Sequence, residues 1–338
     1  MIAERIATYQ DGWAGPWVED EIFGTHDPAQ VADAFEAFAR RELGARFVEF
    51  VFYEASVGCV LGARLEDGRG VVVKAQRPGV DDRHLTAAAE VQQKLAERGF
   101  PCPRPLLPPR RLGAGIATVE ELIDEGERRD AHEPVIRRCL AEALARLVET
   151  AADLVETPGL DAGLLAAQRE LWPTPHSRIF DFDATRNGTE WIDTLAGQAL
   201  EALRERTGEI VVGHVDWTVR HCRFVADELR VVYDWDSLAV LDEPRLVGEA
   251  ARAFTTTWYL DVRVTPTPEE ASAFVAEYEA ARGRRFTRTE RARLAAAATY
   301  ALAYTARCES CGDPAATDFP PGSAREALAR YGADYLSR

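Results

Sequence analysis

Residues 213–237 concentrate the groups in this chain that could do chemistry. His214-x-Asp216 opens the stretch, His221 lies inside it, and Asp234-x-Asp236 closes it. Apolar runs at 210–212 and 229–233 each deliver an acidic cluster at their C-terminal end. His221 to Val225 reads as a further short strand, and Ala226-Asp227-Glu228 as a turn. The spacing predicts a hairpin with Asp216 at its entrance and Asp234 and Asp236 at its exit. Carboxylates collected at one mouth repel each other, so such a cluster persists where a cation or a substrate proton answers it.

Three pieces upstream bear on what that cation could be. Glu54-Ala-Ser-Val-Gly-Cys59 places Ser56, Val57 and Gly58 in a turn between two strand candidates. Lys74 ends the next apolar strand, in a chain whose 40 basic residues include only one other lysine, Lys94. Glu90 lies on the helix that follows. Phosphoryl transfer from ATP needs parts of this kind. A positive charge meets the phosphates, an acid holds the lysine, one carboxylate orients the attacking hydroxyl, and another anchors a metal ion.

The elements that must position these groups fall into two regions. The pattern of Val31, Phe35 and Phe38 predicts an amphipathic helix over 28–43. Strands are predicted at 47–53, 60–65, 71–75 and 116–123, with a helix over 82–98 and a Pro-rich loop at 101–109. Helices are predicted at 134–154 and 190–206, then the hairpin, then more helices. Three of these carry capping-box sequences beginning at Thr267, Thr287 and Ser323. The expected division is a strand-rich region 1–122, with an extra N-terminal helical segment, and a mostly helical region 123–338.

Composition narrows the class. Of 338 residues, 46% are apolar and 28% charged, the proportions of a globular protein with a substantial core. A net charge of −16 argues against nucleic-acid binding. No run is long and apolar enough to span a bilayer, so no membrane partner and a cytoplasmic location are expected. Six scattered cysteines suit reduced thiols, and Cys308-x-x-Cys311 lacks the second pair or nearby histidine that a zinc site needs.

Order and spacing of the chemical groups resemble the aminoglycoside phosphotransferase family, small-molecule kinases with a protein-kinase-like fold. The resemblance runs from about Phe47 to Phe254. It is carried by His214-x-Asp216, by the strand ending Val232-Tyr-Asp-Trp235, and by the helix that begins at Glu243 soon afterwards. Pro103-Arg-Pro-Leu106 and Glu121 before Asp124-Glu-Gly126 look like the family's hinge region. The resemblance implies an α+β, bilobal fold with a small β-rich N-lobe and a larger, mostly helical C-lobe. It implies ATP with Mg²⁺, and a small-molecule hydroxyl acceptor. By the same resemblance Asp216 is the catalytic base, Asp234 the metal ligand with Asp236 beside it, and Lys74 the phosphate-binding lysine partnered by Glu90. Main-chain groups at Glu120, Glu121 and Leu122 hold adenine, and Ser56, Val57 and Gly58 cover the phosphates.

One departure stands out: His221 falls where the family has a metal-binding asparagine. Imidazole is a poor ligand for Mg²⁺. Either His221 ligates a softer ion such as Mn²⁺, or it stays outside the shell, or the chain binds nucleotide without turnover. The second reading is favoured, because base, metal aspartate and lysine are all retained. A metallohydrolase built on His214, Asp216, His221 and Asp234 is a rival, but it leaves the lysine strand and hinge unexplained. Asp181, Asp183, Trp258, Tyr259 and Asp261 are candidates for the acceptor pocket. An acidic, aromatic pocket would suit a cationic acceptor such as an aminated sugar or an amino alcohol.

Overall fold

The computed structural model describes residues 2–11, 15–160 and 170–336. The chain divides into two compact units, Met1–Glu97 with Cys102–Asp124, and Arg98–Pro101 with Glu125–Arg338.

The first unit is built on a five-stranded antiparallel sheet: β1 (Phe47–Ala55), β2 (Gly58–Leu65), β3 (Gly70–Gln76), β4 (Pro105–Leu112) and β5 (Gly115–Glu121). Their spatial order is β1-β2-β3-β5-β4. Strand β4 replaces part of the loop expected from its prolines. Proline cannot donate to a ladder, and β4 lies at the sheet edge, where that deficiency is tolerated. Helices α1 (Ile2–Asp11), α2 (Trp17–Phe23) and α3 (Pro28–Phe38) share a core with the sheet. Ile6, Trp17, Ile22, Phe35 and Phe38 bury against Tyr53, Leu61, Val71 and Val119. Asp27 caps α3 by accepting from Ala29 and Gln30 N–H. The helix expected to reach residue 43 widens instead into a π-helical turn, Ala39–Leu43. Helix α4 (Asp82–Glu97) completes the unit.

The second unit contains α5 (Pro134–Thr150), α6 (Glu190–Ala202), α7 (Glu243–Ala253), α8 (Pro268–Arg282), α9 (Arg288–Glu309) and α10 (Ala324–Tyr331). Among the described residues no helix is long and apolar enough to cross a membrane. Between α6 and α7 lie β6 (Ile210–His214), β7 (Cys222–Val225), β8 (Glu228–Val232) and β9 (Leu238–Asp242). The single expected hairpin is two small sheets. β7 pairs with β8, whereas β6 pairs with β9, a strand that sequence reasoning missed. Gly213 on β6 is required by close approach: a Cβ there would stand 2.5 Å from the Leu246 side chain of α7. The capping boxes at Thr267 and Thr287 both form. At Ser323 only half forms, because Glu326 turns to accept from Gly322 N–H at 2.6 Å.

Glu270, in the first turn of α8, also binds His132 Nδ1 at 2.8 Å. Burial favours a protonated Glu270, but His132 and the Thr267 amide outweigh it and lower the pKa from 4.5 to about 2. The hydrogen bond to Glu270 raises the His132 pKa above 6.5. The depressed carboxyl stabilises the fold above pH 4.5 and loses its effect as pH falls toward 2. The raised imidazole stabilises below pH 6.5 and loses its effect as pH climbs through its folded-state value. The pair should therefore contribute most between these limits, about 1–3 kcal/mol. In urea denaturation, the stability gap between wild type and His132→Gln should be widest near pH 5.5 and narrow toward pH 9. A gap independent of pH would refute the linkage.

Candidate functional site

His214 organises the second unit's acidic loop. It is fully buried, and its ring packs edge-on against Trp217 and Trp235 at 5.8 and 5.7 Å. Nε2 lies 3.0 Å from Tyr233 O, and Nδ1 accepts from Asp216 N–H at 3.3 Å. That pattern requires a neutral ring with its proton on Nε2, and burial, with His221 adding to it, lowers the His214 pKa accordingly. One imidazole thus ties the Asp216 loop to the strand that leads into Asp234.

Asp234 has left-handed backbone, φ 71 and ψ 44, a region that aspartate tolerates better than most residues. Ser237 Oγ donates to Asp234 Oδ2 at 3.0 Å, and Val215 N–H donates to Ser237 O at 2.9 Å. These contacts bring Asp216 and Asp234 to one place. Oxygen atoms of both carboxylates and a ring nitrogen of His221 lie within 4.8 Å of one another.

His221 therefore stands inside the group. Its Nε2 is 3.1 Å from Asp216 Oδ2 and 3.8 Å from Asp234 Oδ2. The sequence reading keeps His221 outside the metal shell and sets Asp236 beside Asp234; the structure brings His221 up to the two carboxylates. Asp236 sits within the 3₁₀ turn Trp235–Ser237, where successive side chains point about 120° apart, and it is not part of the group. Two carboxylates and one imidazole make a donor set that suits Mn²⁺, and that Mg²⁺ can use through its oxygens and water. Arg220 also enters this loop. Its Nη2 donates to Asp216 Oδ2, and its Nε lies 2.8 Å from His221 Nε2. Burial alone would raise the Asp216 pKa, but Arg220 and His221 hold it far below the usual carboxylate range.

In the first unit, Lys74 is buried on β3, and its Nζ lies 3.5 Å from Glu120 Oε1. Glu120 Oε2 accepts in turn from Gln92 Nε2 at 2.9 Å. The expected partner, Glu90, is exposed. It lies roughly 200° around α4 from Gln92, on the face opposite the buried one. The signal for Glu120 was available: Thr118 opposes Lys74 across β3 and β5, and residue 120 projects from the same face two positions on. In the segment expected to hold adenine, two amides are engaged within the unit. Glu121 N–H donates to Arg104 O and Leu122 N–H to Gly70 O, so neither amide is spare. Ser56 and Val57 are exposed in the β1–β2 turn. Gly58 is pressed against β3, where a Cβ would meet Ala75 O at 2.6 Å.

Residues 63–295 match the profile of a family described as the phosphotransferase enzyme family, well over half of the chain. The chain belongs to that family. Solved structures similar to this phosphotransferase include an amicoumacin kinase, hAmiN, in complex with AMP-PNP, Ca²⁺ and Ami. It shares 11% identity and a TM-score of 0.63 over 91% of this chain and 96% of that one. A choline/ethanolamine kinase family protein from Mesorhizobium loti shares 15% identity with TM-score 0.57, over 91% and 95%. The macrolide 2'-phosphotransferase MphH from Brachybacterium faecium shares 16% identity with TM-score 0.52, over 90% and 98%. At such identities the likeness establishes a shared fold, the α+β protein-kinase-like one. No curated protein sequence matches the chain significantly.

The residues expected to line an acceptor pocket in this phosphotransferase separate into two sets. Asp181 accepts from Ala184 N–H within its own turn at 2.9 Å, and Asp183 is 92% exposed and paired with Arg186. Asp261 is exposed too. None of the three is part of the Asp216 group. Trp258 does reach that loop, because the Arg220 guanidinium lies 4.4 Å over its ring. The cysteines form no disulfides, and Cys308 and Cys311 belong to no metal-competent group among the described residues.

Proposed function

We propose that this phosphotransferase moves the γ-phosphoryl group of ATP to a hydroxyl of a small molecule. The convergence of Asp216, Asp234 and His221 in the family's catalytic loop carries the reading. The acceptor oxygen bonds to the γ-phosphorus as the bond from that phosphorus to the β–γ bridging oxygen breaks, and ADP leaves. Asp216 holds the hydroxyl in line. With its carboxyl so acidic, it takes the proton late, once the forming phosphate ester has made that proton acidic. Lys74, kept in place by Glu120, neutralises charge on the nucleotide's phosphates, and the exposed turn at Ser56 and Val57 covers them. Asp234 and His221 would hold a divalent ion, Mg²⁺ or Mn²⁺, which supplies charge neutralisation on the phosphates when bound.

ATP consumption that requires added Mg²⁺ or Mn²⁺ and disappears in Asp216→Ala is the expected result. Saturable nucleotide binding without any consumption would mark a silent nucleotide-binding module instead. Tightly held zinc or iron in the purified protein, with hydrolysis independent of ATP, would mark a hydrolase. Lys74→Ala should raise the KM for ATP and lower kcat together, about 10²-fold or more in kcat/KM. An unchanged KM for ATP in that variant would detach Lys74 from the nucleotide.

A further inference from the structure

We infer that the acceptor carries a carboxylate, which Arg220 binds beside the reacting hydroxyl. The inference rests on the phosphotransferase reading above and names the substrate class of the same site.

Charge around Asp216 is the first observation. Arg220 pairs with Asp216 four residues earlier in the chain, and Arg128 Nη1 donates to Arg220 O at 3.2 Å. Arg252 on α7 lies close enough for Asp216 to act on its pKa, which burial lowers. Among the described residues neither Arg128 nor Arg252 forms a close ion pair; Arg252 Nη1 donates to Thr305 Oγ1 at 2.9 Å, and its buried Nε has no hydrogen-bond partner. Asp216 is the carboxylate partner of Arg220. In a chain of net charge −16, three arginines thus converge on a loop whose acids are already engaged. An ammonium group entering here meets like charge, whereas a carboxylate meets unsatisfied donors.

The shape of the Arg220 site is the second observation. Nε and Nη2 are occupied by His221 and Asp216, while Nη1 makes no hydrogen bond among the described residues. The guanidinium is backed by Trp258, which is 65% exposed, and the neighbouring Tyr259 carries Arg128 at 3.2 Å over its ring. A guanidinium backed by an aromatic ring, with Nη1 left to donate, suits a ligand carboxylate. A ligand carboxylate bound at Nη1 leaves the Nη2 bond to Asp216 in place, so it sets the ligand's hydroxyl beside that base and acidity of the acceptor affects both KM and kcat.

Three alcohols on one carbon skeleton test this: glycerate, glycerol and serinol, which differ in charge. Each is titrated against the protein with Mg²⁺ and a non-hydrolysable ATP analogue, reading tryptophan fluorescence with Trp258→Phe as the control. Glycerate should bind at least about tenfold more tightly than serinol. Arg220→Gln should erase that difference, while Arg220→Lys, which keeps the charge, should retain part of it. Serinol binding as well as glycerate, a preference that survives Arg220→Gln, or no saturable response to glycerate would each overturn the inference. Metal-dependent ATP hydrolysis, measured on the same protein preparations with ATP in place of the analogue, separates the two claims. If hydrolysis persists and vanishes in Asp216→Ala, only the acceptor class falls. If the wild type shows none, the phosphotransferase reading falls with it.

Discussion

Asp234→Ala should abolish phosphoryl transfer, lowering kcat by about 10²–10³-fold or more while the protein stays folded. The carboxylate is half of the acidic pair that converges on His221, and its loss leaves one imidazole and one arginine-bound carboxylate. Those two groups cannot hold a hard divalent ion against water. The substitution should also strain the loop, because residue 234 occupies left-handed backbone that aspartate accepts more readily than alanine. Transfer measured against Mn²⁺ concentration distinguishes the causes. A variant rescued by high metal has lost affinity, whereas one silent at every concentration has lost the loop geometry. Near-wild-type transfer would remove Asp234 from the site.

The largest stability effect is expected at Asp242, where β9 passes into α7. Its carboxylate accepts from Arg293 Nη2 at 2.6 Å and from Arg293 Nε, with side-chain exposures of 2% and 4%. It also caps α7 through Arg245 N–H. Asp242→Ala would leave a guanidinium buried with only the Glu205 carbonyl as partner. The expected cost is about 3–5 kcal/mol, visible as a lower urea midpoint with an unchanged slope. Replacing both members with apolar residues, Asp242→Leu with Arg293→Met, should recover most of that loss, because the cost lies in the stranded charge. A single-variant loss below about 1 kcal/mol would contradict the assignment.

Periodicity made the sheet of the first unit and most helices legible before any coordinates. Strands 60–65 and 71–75 were bracketed by turn residues, and the capping boxes at Thr267 and Thr287 announced two helix starts. Strand β4 was hidden because proline reads as loop, and only its edge position makes it a strand. Strand β9 was hidden because Leu238 to Asp242 is short and runs straight into α7. At the site, residue types pointed to Asp216, Asp234 and Lys74, since chemistry restricts them. What pairs with them was less accessible. Position on the following helix points to Glu90, but that residue lies on the exposed face of α4, and Lys74 meets Glu120 on β5. Arg220 went unnoticed because its role depends on a 3₁₀ turn, Val219–His221, that brings it back onto Asp216. The left-handed backbone of Asp234 likewise leaves no trace in composition.

Following the γ-phosphorus itself tests the account most directly. ATP, Mg²⁺, the protein and a set of small alcohols including hydroxy acids are incubated and observed by phosphorus NMR. The account predicts a growing phosphate-monoester resonance matched by loss of the γ-signal and appearance of ADP, absent when Asp216→Asn protein is used. A γ-signal that stays intact while nucleotide binds, or an equal monoester signal from Asp216→Asn, would contradict it.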